Sequence, residues 1–174
     1  VLVKLTPNIS DIRFPARAAR KGKANGISLI NTINTIMGVD LDTFELRPSI
    51  NGKGSHGGYA GPAVKPIALN MLSQVAIDPE VNLPISGIGG VSDWRDAVEF
   101  MLLGAANVQV CTAVMHYGFR IVEDMRAGLV NWMRARNFTR LDDFVGKTAP
   151  RIVDWKKLNL HHKTVAAIDH AKCI

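Results

Sequence analysis

Apolar residues along this chain fall into short runs and longer periodic stretches that alternate. Residues 1–5 (VLVKL), 26–30 (GISLI), 83–88 (LPISGI) and 107–110 (NVQV) are short, rich in β-branched side chains and bounded by turn-forming residues, which predicts four strands. Between them the period is helical. Ser10 and Asp11 can cap a helix whose face carries Ile12, Ala16 and Ala19 and which stops at Gly22. Gly61-Pro62 opens a second, running through Ile67, Leu69, Met71, Leu72 and Val75. Its Pro66 sits in the first turn, where a missing N–H does no harm, and Asp78-Pro79 ends it. Ser92 and Asp93 are caps for a third over residues 94–103. A fourth spans 119–136, with Ile121, Met125, Leu129, Trp132 and Met133 as its apolar stripe.

Two stretches lack a clear period. Residues 38–59 are polar and Gly-rich, which predicts a long loop, and such loops are often lids or binding loops. Beyond residue 136, Leu141, Phe144 and Val145 suggest a short helix ending at Gly146. Residues 150–160 read as extended, and 163–171 as a closing helix or a linker.

The resulting order, β-α-β-loop-α-β-α-β-α, implies parallel strands joined by right-handed crossovers. The strands read as apolar runs buried on both faces. A complete (β/α)8 TIM barrel takes roughly 250 residues. The 174 residues here carry only four βα units, about half of such a barrel, and the Gly-rich ends of the last two strands resemble the phosphate site after strands seven and eight, so the expected fold is the C-terminal half over residues 1–146, with an extension over 147–174. Val1 lies inside an apolar run and the sequence stops abruptly at Cys173-Ile174, as a piece of a longer protein would.

Charge changes this picture little. Lys and Arg number 21 against 15 Asp and Glu, giving a net +6. The cations are dispersed, with Arg13, Arg17, Arg20 and Lys21 on one segment and Arg134, Arg136 and Arg140 on another. A nucleic-acid surface would cluster them with aromatics, so solvated helix faces are expected and no nucleic-acid partner. No apolar run approaches the ~18 residues of a membrane span. Neither a membrane partner nor a signal peptide is expected. The two cysteines, Cys111 and Cys173, give no disulfide framework, and a reducing cytoplasm is the expected setting.

In parallel α/β folds ligands sit beyond the carboxyl ends of the strands. All four predicted strands end in residues with chemical potential: Lys4, Thr6 and Asn8; Asn31 and Thr32; Gly89 and Gly90; Cys111 and Thr112. The glycine pair lets backbone approach an anion, and the helix after it would direct free N–H groups to the same point. This predicts a phosphate cradle after the third and fourth strands, where phosphate sites of barrels lie; a plain tight turn is the alternative. Lys4 inside a strand needs an anion or polar acceptor unless it snorkels outward. Asn31-Thr32 offers donors and acceptors to a planar ligand, or forms an ordinary Asx turn. Gly57–Gly61 can lay backbone against a flat ligand or act as a hinge. Cys111 reads as a small buried hydrophobe, and His56, His161, His162 and His170 as surface residues.

In order along the chain, Lys4-Leu5-Thr6-Pro7-Asn8, Asn31-Thr32, Gly57-Gly58-Tyr59-Ala60-Gly61, Gly89-Gly90 and Gln109-Val110-Cys111-Thr112-Ala113 resemble the class I dihydroorotate dehydrogenase superfamily, whose members are FMN-containing (β/α)8 barrels. The segments NTINTIMG (31–38), GPAVKPIAL (61–69) and IDHAKCI (168–174) are similar to its dihydropyrimidine dehydrogenase branch, in particular the FMN/iron–sulfur subunit of the bacterial NAD-dependent enzymes. The resemblance implies that Lys4 contacts the FMN isoalloxazine. It implies that Gly61 and Ile88-Gly89-Gly90 bind FMN, the latter with Cys111-Thr112 around its phosphate. Asn31 and Thr32 would hydrogen-bond the pyrimidine base.

Cys173 would be the first ligand of a [4Fe–4S] cluster in a ferredoxin-like domain. The implied reaction is reversible reduction of uracil or thymine to the 5,6-dihydro compound. Its electrons would come from NADH, through iron–sulfur clusters, from an NADH-oxidising flavoprotein partner subunit in an oligomer. The family's proton-donating cysteine would precede Val1, so no catalytic acid is expected here and these residues alone should be inactive. Two alternatives stay open: a dihydroorotate dehydrogenase of pyrimidine biosynthesis, and a non-catalytic phosphate-binding half-barrel.

Overall fold

The computed structural model describes residues 1–169. Its centre is a four-stranded, all-parallel sheet of β1 (Leu2–Lys4), β2 (Gly26–Leu29), β7 (Ile85–Ile88) and β8 (Asn107–Gln109), in the order β1-β2-β7-β8. Spatial order follows chain order, with no reversal of the kind that splits a doubly wound sheet. The crossover helices are α1 (Arg13–Lys21), α2 (Lys65–Ala76) and α3 (Trp94–Leu102). A mixed α/β fold with sequentially ordered parallel strands is consistent with part of a (β/α)8 barrel.

Register divides the sheet into two faces. Leu2 pairs with Gly26 and Lys4 with Ser28; Ser28 pairs with Ser86, Ser86 with Asn107, and Ile88 with Gln109. Directly paired residues of parallel strands share a face. One face therefore carries Lys4, Ser28, Ser86, Asn107 and Gln109. The other carries Val3, Ile27, Leu29, Ile85, Gly87 and Val108, and it packs against the helices. Ile27 and Leu29 are fully buried there with Phe100 and Leu72. Gly87 is obligatory on that face, because a Cβ would stand 2.5 Å from Phe100 and 3.0 Å from Leu72.

The expectation of strands apolar on both faces is thus corrected. Only β2 is buried along its whole length, while β1 and β8 lie at the sheet edges and are partly exposed. The polar face is where a closed barrel would have its interior.

Three further expectations change. Residues 38–59 are not featureless: β3 (Ile33–Thr35) pairs antiparallel with β6 (Gly57–Tyr59), and β4 (Gly38–Val39) with β5 (Leu46–Arg47). These ladders are two or three residues long, too short for a period to register. A short helix, α4 (Thr112–Tyr117), follows β8 before α5 (Ile121–Arg134). The predicted long helix therefore begins at Ile121, and Gly118, at φ +73°, separates the two. Residues 150–160 are not extended throughout, since 3₁₀ turns occupy Ala149–Arg151 and Trp155–Lys157.

The chain after α5 folds back on α3. Gly146 N–H donates to Met101 O at 2.9 Å and Thr148 N–H to Leu102 O at 2.9 Å. Phe144, fully buried, lies edge-on to Trp132 with centroids 4.9 Å apart and stacks with Phe138 at 5.5 Å. α3 and α5 meet closely because Gly128 has no side chain; a Cβ there would fall 2.2 Å from the Trp94 ring. Among the described residues no helix is long and apolar enough to cross a membrane.

Candidate functional site

The carboxyl ends of all four parallel strands open into one cleft, the place where ligands of parallel α/β folds sit. β1 contributes Lys4, and the turn after β2 contributes Asn31 and Thr32. The turn after β7 contributes Ile88, Gly89 and Gly90, and the end of β8 contributes Gln109, Cys111 and Thr112. Gly61, at the start of the turn into α2, completes the wall. Every described residue to which the family resemblance gives a substrate or cofactor role therefore lines the same cavity, whereas Thr6, Asn8, Gly57 and Gly58 do not. Cys173, singled out for a cluster, lies outside the described residues. Among those described, no group of three or more His, Cys, Asp or Glu side chains could hold a metal ion.

One end of the cleft is made of backbone. Gly89 has φ +132°, Gly90 +76° and Gly61 +89°, all in the region that favours glycine. A Cβ on Gly90 would stand 2.8 Å from Gly61 O, and a Cβ on Gly61 would stand 3.7 Å from Thr112 Cγ2. The three strand-end turns thus touch one another. The N–H groups of Gly90 and Val91 find no acceptor within the described residues, and Thr112 and Ala113 occupy the first turn of α4. First-turn N–H groups have no intrahelical partner, so this corner is a set of convergent donors suited to a phosphate.

The expected contribution of α3 is corrected. Asp93 accepts from Arg95 N–H at 2.7 Å and Asp96 N–H at 3.1 Å, while Asp96 accepts from the N–H groups of Ser92 at 2.8 Å and Asp93 at 3.2 Å. This reciprocal capping box satisfies the helix with its own carboxylates. Lys65, whose backbone and Cβ lie against Gly90, is likewise committed: its ammonium meets Asp96 at 2.6 Å and Glu99 at 2.9 Å. The hydrogen bond to Asp96, then that to Glu99, holds its pKa above the ordinary lysine value. An anion in the cradle would be held by backbone dipoles rather than by a paired cation.

The other end is made of side chains. Asn31 Oδ1 accepts from the N–H of the next residue, Thr32, at 2.9 Å, one residue short of an Asx turn, which leaves the amide hydrogens as its donors. Thr32 packs on Gly58, where a Cβ would lie 2.4 Å from its hydroxyl. Lys4 is exposed at the open edge of β1. Asn8, which the sequence offers as a chemical group, is a strut. Its Nδ2 donates to Thr6 Oγ1 at 3.0 Å and Thr32 O at 3.1 Å, and its Oδ1 accepts from Asn34 N–H at 2.9 Å. Cys111 is exposed in the cleft, not buried, because the chain turns there out of β8 into α4. His56, His161 and His162 are exposed, as surface residues would be.

Sequence reasoning named Gln109 only as part of a motif. Its Nε2 donates to Ser28 Oγ and to Ser86 Oγ, each at 2.8 Å, and Ser86 Oγ donates to Asn107 Oδ1 at 2.5 Å. The polar residues Ser28, Ser86 and Gln109 in otherwise apolar strands were the available signal.

A sequentially ordered parallel α/β sheet whose strand ends share one cleft is consistent with part of a (β/α)8 barrel. The chain belongs to the dihydroorotate dehydrogenase family, whose pattern it matches over residues 1–133. It is 45% identical to the NAD-dependent dihydropyrimidine dehydrogenase subunit PreA of Escherichia coli K12, over 175 aligned positions covering 100% of this chain and 43% of that protein. It is 40% identical to the catalytic subunit of dihydroorotate dehydrogenase B (NAD(+)) of Pyrococcus horikoshii, over 84% of this chain and 46% of that one. It is 42% identical to the chloroplastic dihydropyrimidine dehydrogenase (NADP(+)) of Arabidopsis thaliana, over 84% and 35%. The chain spans less than half the length of these curated relatives.

Proposed function

We propose that this chain is the C-terminal half of an FMN-binding barrel that reduces uracil or thymine to the 5,6-dihydropyrimidine in the cytoplasm. Electrons come from NADH through [4Fe–4S] clusters, with Cys173 as a cluster ligand and residues 147–174 as the link to that domain. The observation that carries the reading is the single cleft, with a backbone anion cradle at one end and Lys4 and Asn31 at the other. The two ends suit the phosphate and the ring of a flavin nucleotide. FMN, when bound, supplies the hydride chemistry.

The chain's own residues then divide the work. Gly89, Gly90, Cys111 and Thr112 hold the phosphate through N–H groups, and Ile88 and Gly61 shape the wall beside it. Lys4 places a positive charge against the part of the ring that becomes electron-rich on reduction. Asn31, its oxygen held by Thr32 N–H, directs its NH2 group at a pyrimidine carbonyl, and Thr32 adds a hydroxyl.

Preference for a pyrimidine base over orotate is supported by the likeness to PreA, which runs through residues 147–174, whereas the likeness to the dihydroorotate dehydrogenase covers 146 positions. The test is uracil-dependent NADH oxidation by the natural full-length chain with its partner subunit, together with its absorption spectrum. Flavin absorbance with turnover on uracil supports the proposal. Bound flavin with turnover on dihydroorotate instead redirects it to the biosynthetic reaction, and absence of flavin leaves a non-catalytic phosphate-binding module.

A further inference from the structure

The polar network under the cleft has no part in closing the helix-packed core. Barrel interiors are usually filled with branched apolar side chains, yet here Ser28 and Ser86 are 2% and 6% exposed and face inward. Gln109 spans three strands to reach both: it leaves β8, crosses β7 at Ser86 and ends on β2 at Ser28. Ser28 is the residue paired with Lys4 on β1, so the carboxamide ends beside the lysine's strand while also lining the cleft.

The orientation of this amide is dictated by the network. Ser86 has one hydroxyl hydrogen, and it is donated to Asn107 Oδ1. What reaches Ser86 Oγ from Gln109 must therefore be a donor, which makes it Nε2. Both amide hydrogens are then engaged, and Oε1 remains as an acceptor that no side chain among the described residues occupies. Lys4, on the same face, has three donors and makes no ion pair among the described residues.

We infer that Gln109 is a positioning residue. Fixed by Ser28 and Ser86, it presents Oε1 as the acceptor that the Lys4 ammonium, exposed in this structure, takes up when the flavin ring draws it to the floor of the cleft. This rests on the flavin reading above. Lysine side chains are entropically costly to fix, and an acceptor tied at two points makes the position of the charge reproducible.

The test uses the natural full-length chain and Gln109→Leu, Gln109→Glu and Ser86→Ala variants, with FMN affinity, the midpoint potential of bound FMN and thermal stability measured in parallel. Gln109→Leu is expected to weaken FMN about tenfold, the equilibrium equivalent of losing one hydrogen bond to a charged group, and to lower the midpoint potential. Gln109→Glu is expected to lower the potential further, because a carboxylate beside Lys4 cancels its charge. Ser86→Ala, which frees one amide hydrogen without touching Lys4, is expected to shift the potential in the same direction by less, and it keeps the test informative should Gln109→Leu fail to fold. Loss of stability in all three variants with unchanged potential and FMN affinity would overturn the inference and reduce the network to a structural brace. Failure of the wild-type chain to bind FMN at all would instead sink the flavin reading and this inference with it.

Discussion

Gly90→Ala probes the cradle most directly. Gly90 has φ +76°, and the added methyl would stand 2.8 Å from Gly61 O, 2.9 Å from Lys65 Cβ and 3.0 Å from Lys65 N. Two of these three atoms are backbone and cannot swing aside. The left-handed conformation costs an alanine roughly 1–2 kcal/mol, and forcing a methyl into packed surroundings costs roughly 1–3 kcal/mol more. Together the variant should lose about 2–5 kcal/mol if Gly90 and its neighbours keep their places. If they relax instead, Gly61 is pushed away from Thr112 and the donors of the cradle diverge.

Either response acts on the phosphate end alone. FMN affinity should therefore fall by at least tenfold, about 1.4 kcal/mol, while riboflavin, which lacks the phosphate, loses little. Gly57→Ala is the control, since a methyl there meets nothing within 4 Å. Fluorescence titration of both flavins against the full-length protein gives the ratio. An unchanged FMN-to-riboflavin ratio in Gly90→Ala would refute the assignment of this corner to phosphate.

Other outcomes follow from the packing and the charges. Gly128→Ala gains about 1 kcal/mol of helix propensity but drives a methyl into the Trp94 ring, so the melting temperature should fall rather than rise. Phe144→Ala empties the contact with Trp132 and Phe138 and should cost about 3–5 kcal/mol, read by chemical denaturation. Asp78, its side chain 2% exposed, is pushed up by burial, but hydrogen bonds from Arg17 Nε at 2.8 Å and from Glu80 N–H outweigh this and hold its pKa below the ordinary 3.8. Its stabilisation is therefore present above the unfolded value and lost as pH falls through the lower folded one. Arg17→Met leaves burial unopposed by the guanidinium, so acid unfolding followed by circular dichroism should begin at higher pH than in wild type, and Asp78→Asn should abolish that difference.

Local pattern made the framework legible. The four parallel strands, the crossover helices and the Gly-rich strand ends each announce themselves within about a dozen residues, since period and capping chemistry act over one or two turns. The two-residue ladder of β4 and β5 and the six-residue α4 escaped because neither is long enough to establish a period. The capping box at Asp93 and Asp96 was half visible: the caps could be named, but not that they would occupy the N–H groups otherwise free for an anion.

The residue types at the strand ends were determined by the sequence alone. That Lys4, Asn31, Gly89 and Thr112 share one cleft was decided by the parallel register of strands drawn from distant parts of the chain. The sequence carries the polar residues of the inward face, but their joining into one network belongs to the tertiary structure. Gln109 and Ser28 are 81 residues apart in sequence and 2.8 Å apart in space, and no local rule of period or capping reaches across that separation.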